Sequence, residues 1–141
     1  MPLQLKNAGV QYITKKLITF KIFKMTTQQV ADKFYELSQL GAFDKIQTEL
    51  YSRGAKSIEP AHAPFPNAEG IDAIIQKGKQ FNETIAEMHG GYTSAPIVAG
   101  NFFSCTMGMD VTFKGQSRTK FDEVAVYEVK DGKIILEQFF F

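Results

Sequence analysis

The chain has 141 residues, of which 44% are hydrophobic and 13% are aromatic, and this composition suits one domain with a substantial core. Its formal net charge is +1, but five lysines and no acidic residue lie in residues 1–24, so the remainder is mildly acidic. We therefore predict no nucleic-acid binding, because such binding depends mainly on neutralising phosphates. The single cysteine excludes an intramolecular disulfide, and no apolar run is long enough for stable membrane insertion. These features favour a cytoplasmic protein.

Residues 1–24 form a basic N-terminal extension, which we separate from a single domain at residues 25–141. The apolar stretch at residues 17–23 is interrupted by polar side chains and is followed by no small-residue cleavage site, unlike a secretion signal. A basic amphipathic segment can lie on an anionic membrane surface. However, Met25 directly precedes a helix start signal, and this favours the interpretation that residues 1–24 are outside the native domain.

Two helices are predicted at the start of the domain. The first begins at the capping-box pattern of Thr26 and Gln29 and ends at Gly41, since glycine readily takes the left-handed conformation that closes helices. A second, short helix follows. Its apolar residues share one side: Phe43, Ile46 and Leu50.

A short strand and a long helix come next. The strand is predicted at residues 55–59 and stops at Pro60, which has no backbone N–H to donate. Residues 60–69 are rich in proline and are predicted to form a loop, which could be a rim or a lid. A long amphipathic helix then begins at Gly70. Its stripe of apolar positions is Ile71, Ile74, Ile75, Phe81, Ile85 and Met88.

From Gly90 onward the apolar residues recur with a period of two, which predicts strands. A weak strand at residues 92–98 is followed by strands at residues 102–113, 119–129 and 134–141, and residues 130–133 form a hairpin turn. Helices followed by antiparallel strands indicate an α+β fold. We expect a curved antiparallel or mixed sheet of about four to six strands, covered by the long helix and the two N-terminal helices, with a cavity between them.

The two faces of these strands are predicted to have different roles. One face should be the wall of the cavity and contact a ligand through Cys105, Met107, Met109, Val111, Val124 and Phe139. A methionine stripe at strand spacing is more often ordinary core, and Cys105 among apolar residues is expected to be an inert thiol. The outer face should carry apolar area that pairs two copies as a homodimer. Its predicted apolar residues are Phe102, Tyr127, Leu136 and Phe140.

The order of these elements resembles the nuclear transport factor 2-like superfamily over residues 26–141. The residues that carry the resemblance are Gly41-Ala42-Phe43-Asp44, Ser57-Ile58-Glu59-Pro60, Gly70, and Asp131-Gly132-Lys133-Ile134. More narrowly, the chain resembles SnoaL-like polyketide cyclases and ketosteroid isomerases. The resemblance implies a cone whose open end admits a small, mostly apolar molecule of carbonyl type.

The resemblance also implies roles for three positions. Glu59 matches the carboxylate that moves the proton in ketosteroid isomerases. The isomerase tyrosine that donates to the developing oxyanion falls on Phe34, so Phe34 is expected to contact the ligand, and the protonated aspartate that is the second donor falls on Val124. Neither phenylalanine nor valine can donate a hydrogen bond, which argues against steroid isomerisation by that mechanism.

Three carboxylates are candidates for catalysis. Glu59, at the expected mouth of the cavity, could act as a general base, or it could be an exposed carboxylate at a strand end. Asp122 and Glu137 each alternate with apolar residues and could assist from inside the cavity. Alternatively, Asp122 is solvated and Glu137 pairs with a basic residue of a second subunit. His62, close to Glu59 in sequence, could line the cavity mouth and carry protons, or it could be a solvated loop residue.

Two hypotheses follow from the sequence. In the first, Glu59 carries out isomerase-like or cyclase-like acid–base chemistry on a small hydrophobic carbonyl compound. In the second, the chain is a non-catalytic module for ligand binding or dimerisation. The two histidines and the single cysteine lack the spacing of metal ligands, and no glycine-rich phosphate loop is present. The sequence therefore predicts no metal and no cofactor.

Overall fold

The computed structural model describes residues 24–141, so the predicted N-terminal extension lies outside the described residues, apart from Lys24. Within residues 24–141, no helix is both long enough and apolar enough to cross a membrane. Three helices and seven strands follow one another in this range: α1 (Thr27–Gln39), α2 (Phe43–Leu50), β1 (Tyr51–Ile58), β2 (Ala68–Glu69), α3 (Ile71–Glu83), β3 (Ile85–Thr93), β4 (Ile97–Ala99), β5 (Phe102–Phe113), β6 (Thr119–Lys130) and β7 (Lys133–Phe140).

The seven strands form one open, mixed sheet in the order β2-β1-β7-β6-β5-β3, with β4 paired to β5 beside β3. Every pair is antiparallel except β1 and β7, which run parallel. The helices pack against one face of this sheet, where the core residues of β5 and β6 meet those of α1 and α3. The predicted α+β fold is therefore confirmed, with seven strands in place of the expected four to six.

Helix α1 begins and ends as its sequence predicts. Thr26 Oγ1 accepts a hydrogen bond from the Gln29 backbone N at 3.2 Å, and the Gln29 side chain accepts one from the Thr26 backbone N at 2.9 Å. This reciprocal pair satisfies two backbone donors that the first helical turn cannot satisfy. The chain then turns at Gly41, whose φ of +67° is in the left-handed region.

The centre of the core is an aromatic cluster between α1 and the inner face of the sheet. The ring of Phe34 lies 4.7 Å from that of Tyr127 and 5.4 Å from that of Phe103, and the rings of Phe103 and Tyr127 stack at 4.7 Å. All three side chains are buried. Aromatic pairs at these distances add to the stability that apolar burial gives, so this cluster holds α1 against β5 and β6.

The predicted extension of the long helix to Met88 is wrong. Helix α3 ends at Glu83, and Ile85 and Met88 belong to β3, where they lie opposite Phe113 and Val111 of β5. The apolar spacing of residues 71–88 fits a helix throughout, but residues 85–88 satisfy their backbone groups in the ladder with β5. Long-range strand pairing therefore determines their conformation, which local spacing cannot reveal.

The predicted orientation of β6 is also wrong by one residue. Cys105 of β5 pairs directly with Ala125, and residues directly opposite each other lie on the same face of a sheet. The inner face of β6 therefore carries Ala125 and Tyr127, the latter only 2% exposed, and not Val124, which is 42% exposed. Because side chains alternate along a strand, a shift of one residue moves each of them to the opposite face.

The last two strands are joined as predicted. Asp131 and Gly132 form the turn between β6 and β7, with φ of 52° and 76°. Two consecutive positive φ values match the twist of the two strands, and aspartate followed by glycine is suited to them. This hairpin brings β7 back beside β6, and the opposite edge of β7 pairs with β1.

Candidate functional site

A cavity of about 380 Å³ lies between the inner face of the sheet, helix α3 and the loop that follows β1. Most of its wall is hydrocarbon, and its polar side chains are few. Six phenylalanines contribute to the wall: Phe65, Phe81, Phe113, Phe121, Phe139 and Phe141. Five polar side chains reach it: Gln47, Glu59, Lys77, Glu123 and Glu137.

Four of these phenylalanines form a continuous row across the wall. Phe65 of the loop contacts Phe81 of α3 edge-on at 5.9 Å, and Phe81 contacts Phe113 of β5 at 6.0 Å. Phe113 then stacks with Phe121 of β6 at 6.4 Å. The row links the loop, the helix and two strands, so apolar contacts fix the shape of this wall.

Glu59 lies at the end of β1, in the wall of the cavity. Its carboxylate Oε1 is 2.9 Å from Lys77 Nζ, and the two side chains are 14% and 12% exposed respectively. Lys77 Nζ also donates to Ser57 Oγ at 2.6 Å. The Glu59 backbone N donates to Asn67 Oδ1 at 2.8 Å, which ties the loop to the strand end. Glu59 is therefore an enclosed, ion-paired carboxylate. It is not an exposed carboxylate at a strand end, which was the alternative that the sequence allowed.

Glu137 of β7 lies deeper, with only 6% of its surface exposed. Burial raises the pKa of this carboxyl, while hydrogen bonds from Tyr51 and Ser57 and the charge of Lys77 oppose the rise. The Tyr51 hydroxyl donates directly to Glu137 Oε2, and burial, together with the charge of Glu137, raises the pKa of Tyr51 well above its usual value. Glu137 is thus held as a hydrogen-bond acceptor at the base of the cavity.

Glu123 of β6 is a site residue that sequence reasoning missed. It lies on the inner face of the sheet, opposite Met107, and lines the cavity. Burial raises its pKa to about 7, and the negative charges of Glu59 and Glu137 add to the rise. Within residues 24–141, no side chain donates a hydrogen bond to its carboxyl group. Near neutral pH, Glu123 therefore carries a proton in a large fraction of molecules.

The structure brings four of the predicted site residues together around the cavity. Glu59 and Glu137 supply two of its carboxyl groups, and Met109 and Phe139 supply apolar wall. Met109 faces inward on β5, and Phe139 lies opposite Ala125 on β7, so both follow the inner face of the sheet. These positions agree with the predicted alternation of β5 and β7.

Four other predicted ligand contacts belong to the core and not to the cavity wall. Phe34, Cys105 and Val111 are buried, and Met107 is half-buried against the core. Burial raises the pKa of the Cys105 thiol to about 12, so this cysteine is protonated and unreactive. Most of the inward-facing residues of β5 therefore belong to the core. This was the alternative that the sequence allowed for a strand with methionines at alternate positions.

Three further predicted residues point elsewhere. Asp122 is exposed on the outer face, where its Oδ1 accepts a hydrogen bond of 2.7 Å from the Tyr92 hydroxyl. Val124 lies two positions after Asp122 on β6 and therefore on the same outer face. His62 is exposed in the loop, and its ring contacts Phe141, a residue of the cavity wall, edge-on at 5.4 Å. Only His62 lies next to the cavity.

Lys77 is the second residue that sequence reasoning missed, although a signal for it was present. It lies three positions after Ile74 and four before Phe81, so it shares their helix face. All three side chains line the cavity. A lysine within the apolar stripe of an amphipathic helix was therefore the pattern that could have identified it. Glu123 offered no such signal, since both faces of β6 carry acidic and apolar residues.

Among residues 24–141, no group of three or more histidine, cysteine, aspartate or glutamate side chains could hold a metal ion. The polar groups of the cavity are three carboxyls, one ammonium and one amide. This set can accept, donate and transfer protons, and it can neutralise charge on a bound molecule.

Comparison with family models shows that residues 25–141 match a SnoaL-like domain. A comparison with curated protein sequences found no match. Three similar solved structures illustrate the likeness. A SnoaL-like protein from Mesorhizobium loti shares 33% sequence identity and superposes with a TM-score of 0.78, covering 83% of this chain and 100% of that chain.

The other two structures are more distant and show the fold alone. An NTF2-like protein from Burkholderia thailandensis is 17% identical, with a TM-score of 0.71 over 82% of this chain and 90% of that chain. A protein with a ketosteroid isomerase-like fold from Catenulispora acidiphila, crystallised with trimethylamine, is 14% identical. Its TM-score is 0.63 over 82% of this chain and 87% of that chain.

Proposed function

The chain belongs to the SnoaL-like domain family, and we propose that it binds a small hydrophobic carbonyl compound in its cavity and transfers a proton on it. The observation that carries this proposal is the presence of two carboxyl groups in different states within one phenylalanine-lined wall. Glu59 is in an ion pair with Lys77, whereas the pKa of Glu123 is raised to about 7. A base and an acid are thereby available in the same cavity.

Each carboxyl has a role in this proposal. Glu59 removes a proton from the carbon next to the carbonyl, and the carboxylic acid of Glu123 donates a hydrogen bond to the carbonyl oxygen as negative charge develops there. Glu123 supplies the donor that Phe34 and Val124 cannot supply. Glu137, already accepting from Tyr51, adds negative charge that favours the protonated form of Glu123. An enol or enolate formed in this way is common to isomerase and cyclase chemistry.

Two further observations support a small molecule as the occupant. The cavity of about 380 Å³ has a largely hydrocarbon wall, which suits an apolar ligand with few polar groups. The Catenulispora protein of the same fold was crystallised with a small molecule, trimethylamine.

A deuterium-exchange experiment tests the proposal without knowledge of the natural substrate. A naphthyl methyl ketone in deuterated buffer is mixed with the protein, and proton NMR follows loss of the methyl signal beside the carbonyl. We expect catalysed exchange, with Glu59→Gln slowing it by roughly 10² to 10⁴, the usual contribution of a positioned acid or base. Glu123→Leu should slow it as well. The control is Glu83→Gln, since Glu83 is exposed on α3.

Two results would contradict proton transfer. Exchange that is unchanged by Glu59→Gln would remove Glu59 as the base. Binding of the ketone, detected by its fluorescence, without any catalysed exchange would favour the second candidate function, a non-catalytic ligand-binding module with the same cavity. No binding at all would contradict both.

We also propose that two copies pair through the outer face of the sheet. Val124 and Phe140 lie directly opposite each other there, and both are more than two-fifths exposed. Ile97 and Phe102 extend the same apolar area across β4 and β5, and both are exposed. Exposed apolar area of this kind on a sheet is commonly covered by a second protein surface. Tyr127, which the sequence assigned to this face, is buried on the inner side and takes no part.

A further inference from the structure

We propose that Lys77 is a nucleophile, which forms a covalent imine with the carbonyl group of the bound ligand. The inference rests on the proposed function, because it requires a carbonyl compound in the cavity. It goes beyond that function by adding a covalent intermediate to proton transfer.

The placement of Lys77 is the first support. It projects from α3 between Ile74 and Phe81 on the helix face that lines the cavity. Among the described residues of the cavity wall, it is the one cationic side chain. Only 12% of the side chain is exposed, an unusual position for lysine, which is rarely so enclosed. Enclosed lysines beside a cavity are typical of imine-forming sites.

The hydrogen bonds of Lys77 are the second support. Its Nζ donates to Glu59 Oε1 at 2.9 Å and to Ser57 Oγ at 2.6 Å. The bond to Glu59 already lies along a path for proton transfer, so a free amine can form without movement of either side chain. An apolar ligand that fills the cavity would displace water from this pair. Loss of water disfavours both charges and therefore favours the neutral amine and the neutral acid.

The reaction balances with the groups that line the cavity. The Lys77 ammonium gives one proton to Glu59, and the free amine adds to the carbonyl carbon. A proton moves from the nitrogen to the carbonyl oxygen, which yields a neutral carbinolamine. The acid of Glu123 then protonates the hydroxyl group, water leaves, and the nitrogen lone pair forms the carbon–nitrogen double bond. The products are one water and an iminium ion on Lys77, with Glu123 ionised beside it.

The cavity also suits the charge of that product. The iminium nitrogen is positively charged, as the ammonium was, and the carboxyl groups of Glu59, Glu123 and Glu137 line the same space. Loss of water from the carbinolamine places a positive charge near Glu123 in the same step in which Glu123 becomes negative, so the two charges stabilise each other.

The test is reductive trapping. The protein is incubated with a naphthaldehyde and cyanoborohydride, which reduces an imine to a stable secondary amine. Intact-mass spectrometry should show one added group whose mass equals that of the aldehyde less one oxygen. Peptide mapping should place the group on Lys77. Since a bound aldehyde is held next to the amine, we expect labelling of Lys77 to be at least about tenfold faster than that of the exposed Lys79.

Two variants serve as matched controls. Lys77→Arg keeps the positive charge beside Glu59 but cannot form an imine, so the rapid single labelling should disappear. Lys79→Arg removes an exposed lysine of the same helix and should leave the labelling unchanged. Glu59→Gln should slow labelling, because it removes the group that accepts the proton from the ammonium.

The outcomes separate this inference from the proposed function. Even labelling of many lysines, persisting in Lys77→Arg, would overturn the imine. If Lys77→Arg also retained catalysed deuterium exchange of the naphthyl methyl ketone, proton transfer by Glu59 would stand alone. Failure of the wild-type protein to bind that ketone would overturn both proposals. Rapid labelling confined to Lys77 and lost in Lys77→Arg would support the inference.

Discussion

Lys77 and Glu59 form an ion pair across the cavity wall, with 2.9 Å between Nζ and Oε1, although they belong to different elements, α3 and the end of β1. Only about one-eighth of each side chain is exposed. Both charges have therefore lost most of their hydration, and each depends on the other as its partner.

Removal of one partner should therefore be costly. Lys77→Met leaves the enclosed Glu59 carboxylate without its cation, and we expect the free energy of unfolding to fall by about 3 kcal/mol. Lys79→Met, at an exposed position of the same helix, should change it by less than about 0.5 kcal/mol. Urea denaturation followed by circular dichroism measures both. The double variant Lys77→Met with Glu59→Gln should recover part of the loss, and a purely additive result would contradict the pairing.

The carboxyl of Glu123 should make stability depend on pH. Its pKa is raised from 4.5 to about 7, so between these values the folded state binds more protons than the unfolded state. Stability should therefore fall as pH rises through this window and then level off. Glu123 keeps some contact with water, so the fall is on the order of 1–2 kcal/mol, less than the full shift would give.

The variant Glu123→Gln isolates this effect, because glutamine resembles the protonated acid and does not titrate. The difference in unfolding free energy between Glu123→Gln and the wild type should be small near about pH 5 and should favour the variant near about pH 8. Urea denaturation across this range provides the measurement. A difference that stays constant with pH would show that Glu123 does not titrate in the folded protein in this range.

A side chain at Gly108 of β5 should be destabilising, because it would have to displace Tyr92 and Asp122. A Cβ at this position would overlap the ring of Tyr92 and would lie 2.6 Å from Asp122 Oδ1, which accepts a hydrogen bond from that tyrosine. We expect Gly108→Ala to lower the free energy of unfolding by about 1–3 kcal/mol. Gly54→Ala is the control, because a Cβ there would meet no atom within 4 Å. An additional Tyr92→Ala change should restore part of the lost stability, because it removes the contact with the ring but not the one with Asp122.

The proposed pairing of two copies through the outer sheet face predicts a change of mass in solution. Val124→Lys places a charge in the centre of the exposed apolar area, next to Phe140, and should convert a dimer to a monomer. Gln80→Lys, on the exposed side of α3, should not. Light scattering after size-exclusion chromatography measures this. A monomeric wild-type protein at about micromolar concentration would contradict the proposal.

The sequence predicted local features well, because local rules decide them. The capping box at Thr26, the turn at Asp131 and Gly132, and the full length of β5 all depend on neighbouring residues. Glu59 was also placed in the correct region, since it ends a strand directly before Pro60. In each case the residue types themselves restrict the backbone or the position of the side chain.

The errors arose where distant residues decide the outcome. Both faces of β6 carry a mixture of apolar and acidic residues, and only its pairing with β5 determines that Glu123 points inward and Asp122 outward. Likewise, Ile85 has the spacing of a helical residue, and its pairing with Phe113 makes it part of a strand. Glu123, the proposed proton donor, was missed for this reason, and not because its chemistry was unfamiliar.

The hydrogen bond from Tyr51 to Glu137 joins residues that are 86 positions apart. During synthesis, almost all of the remaining domain is therefore made after β1 and before its neighbour β7. Until then, the edge of β1 and the polar groups around Glu59 have no β7 to cover them. The cavity therefore cannot be complete before β7 has been synthesised, and a chain that lacks β7 leaves the edge of β1 unpaired, an arrangement that can promote aggregation.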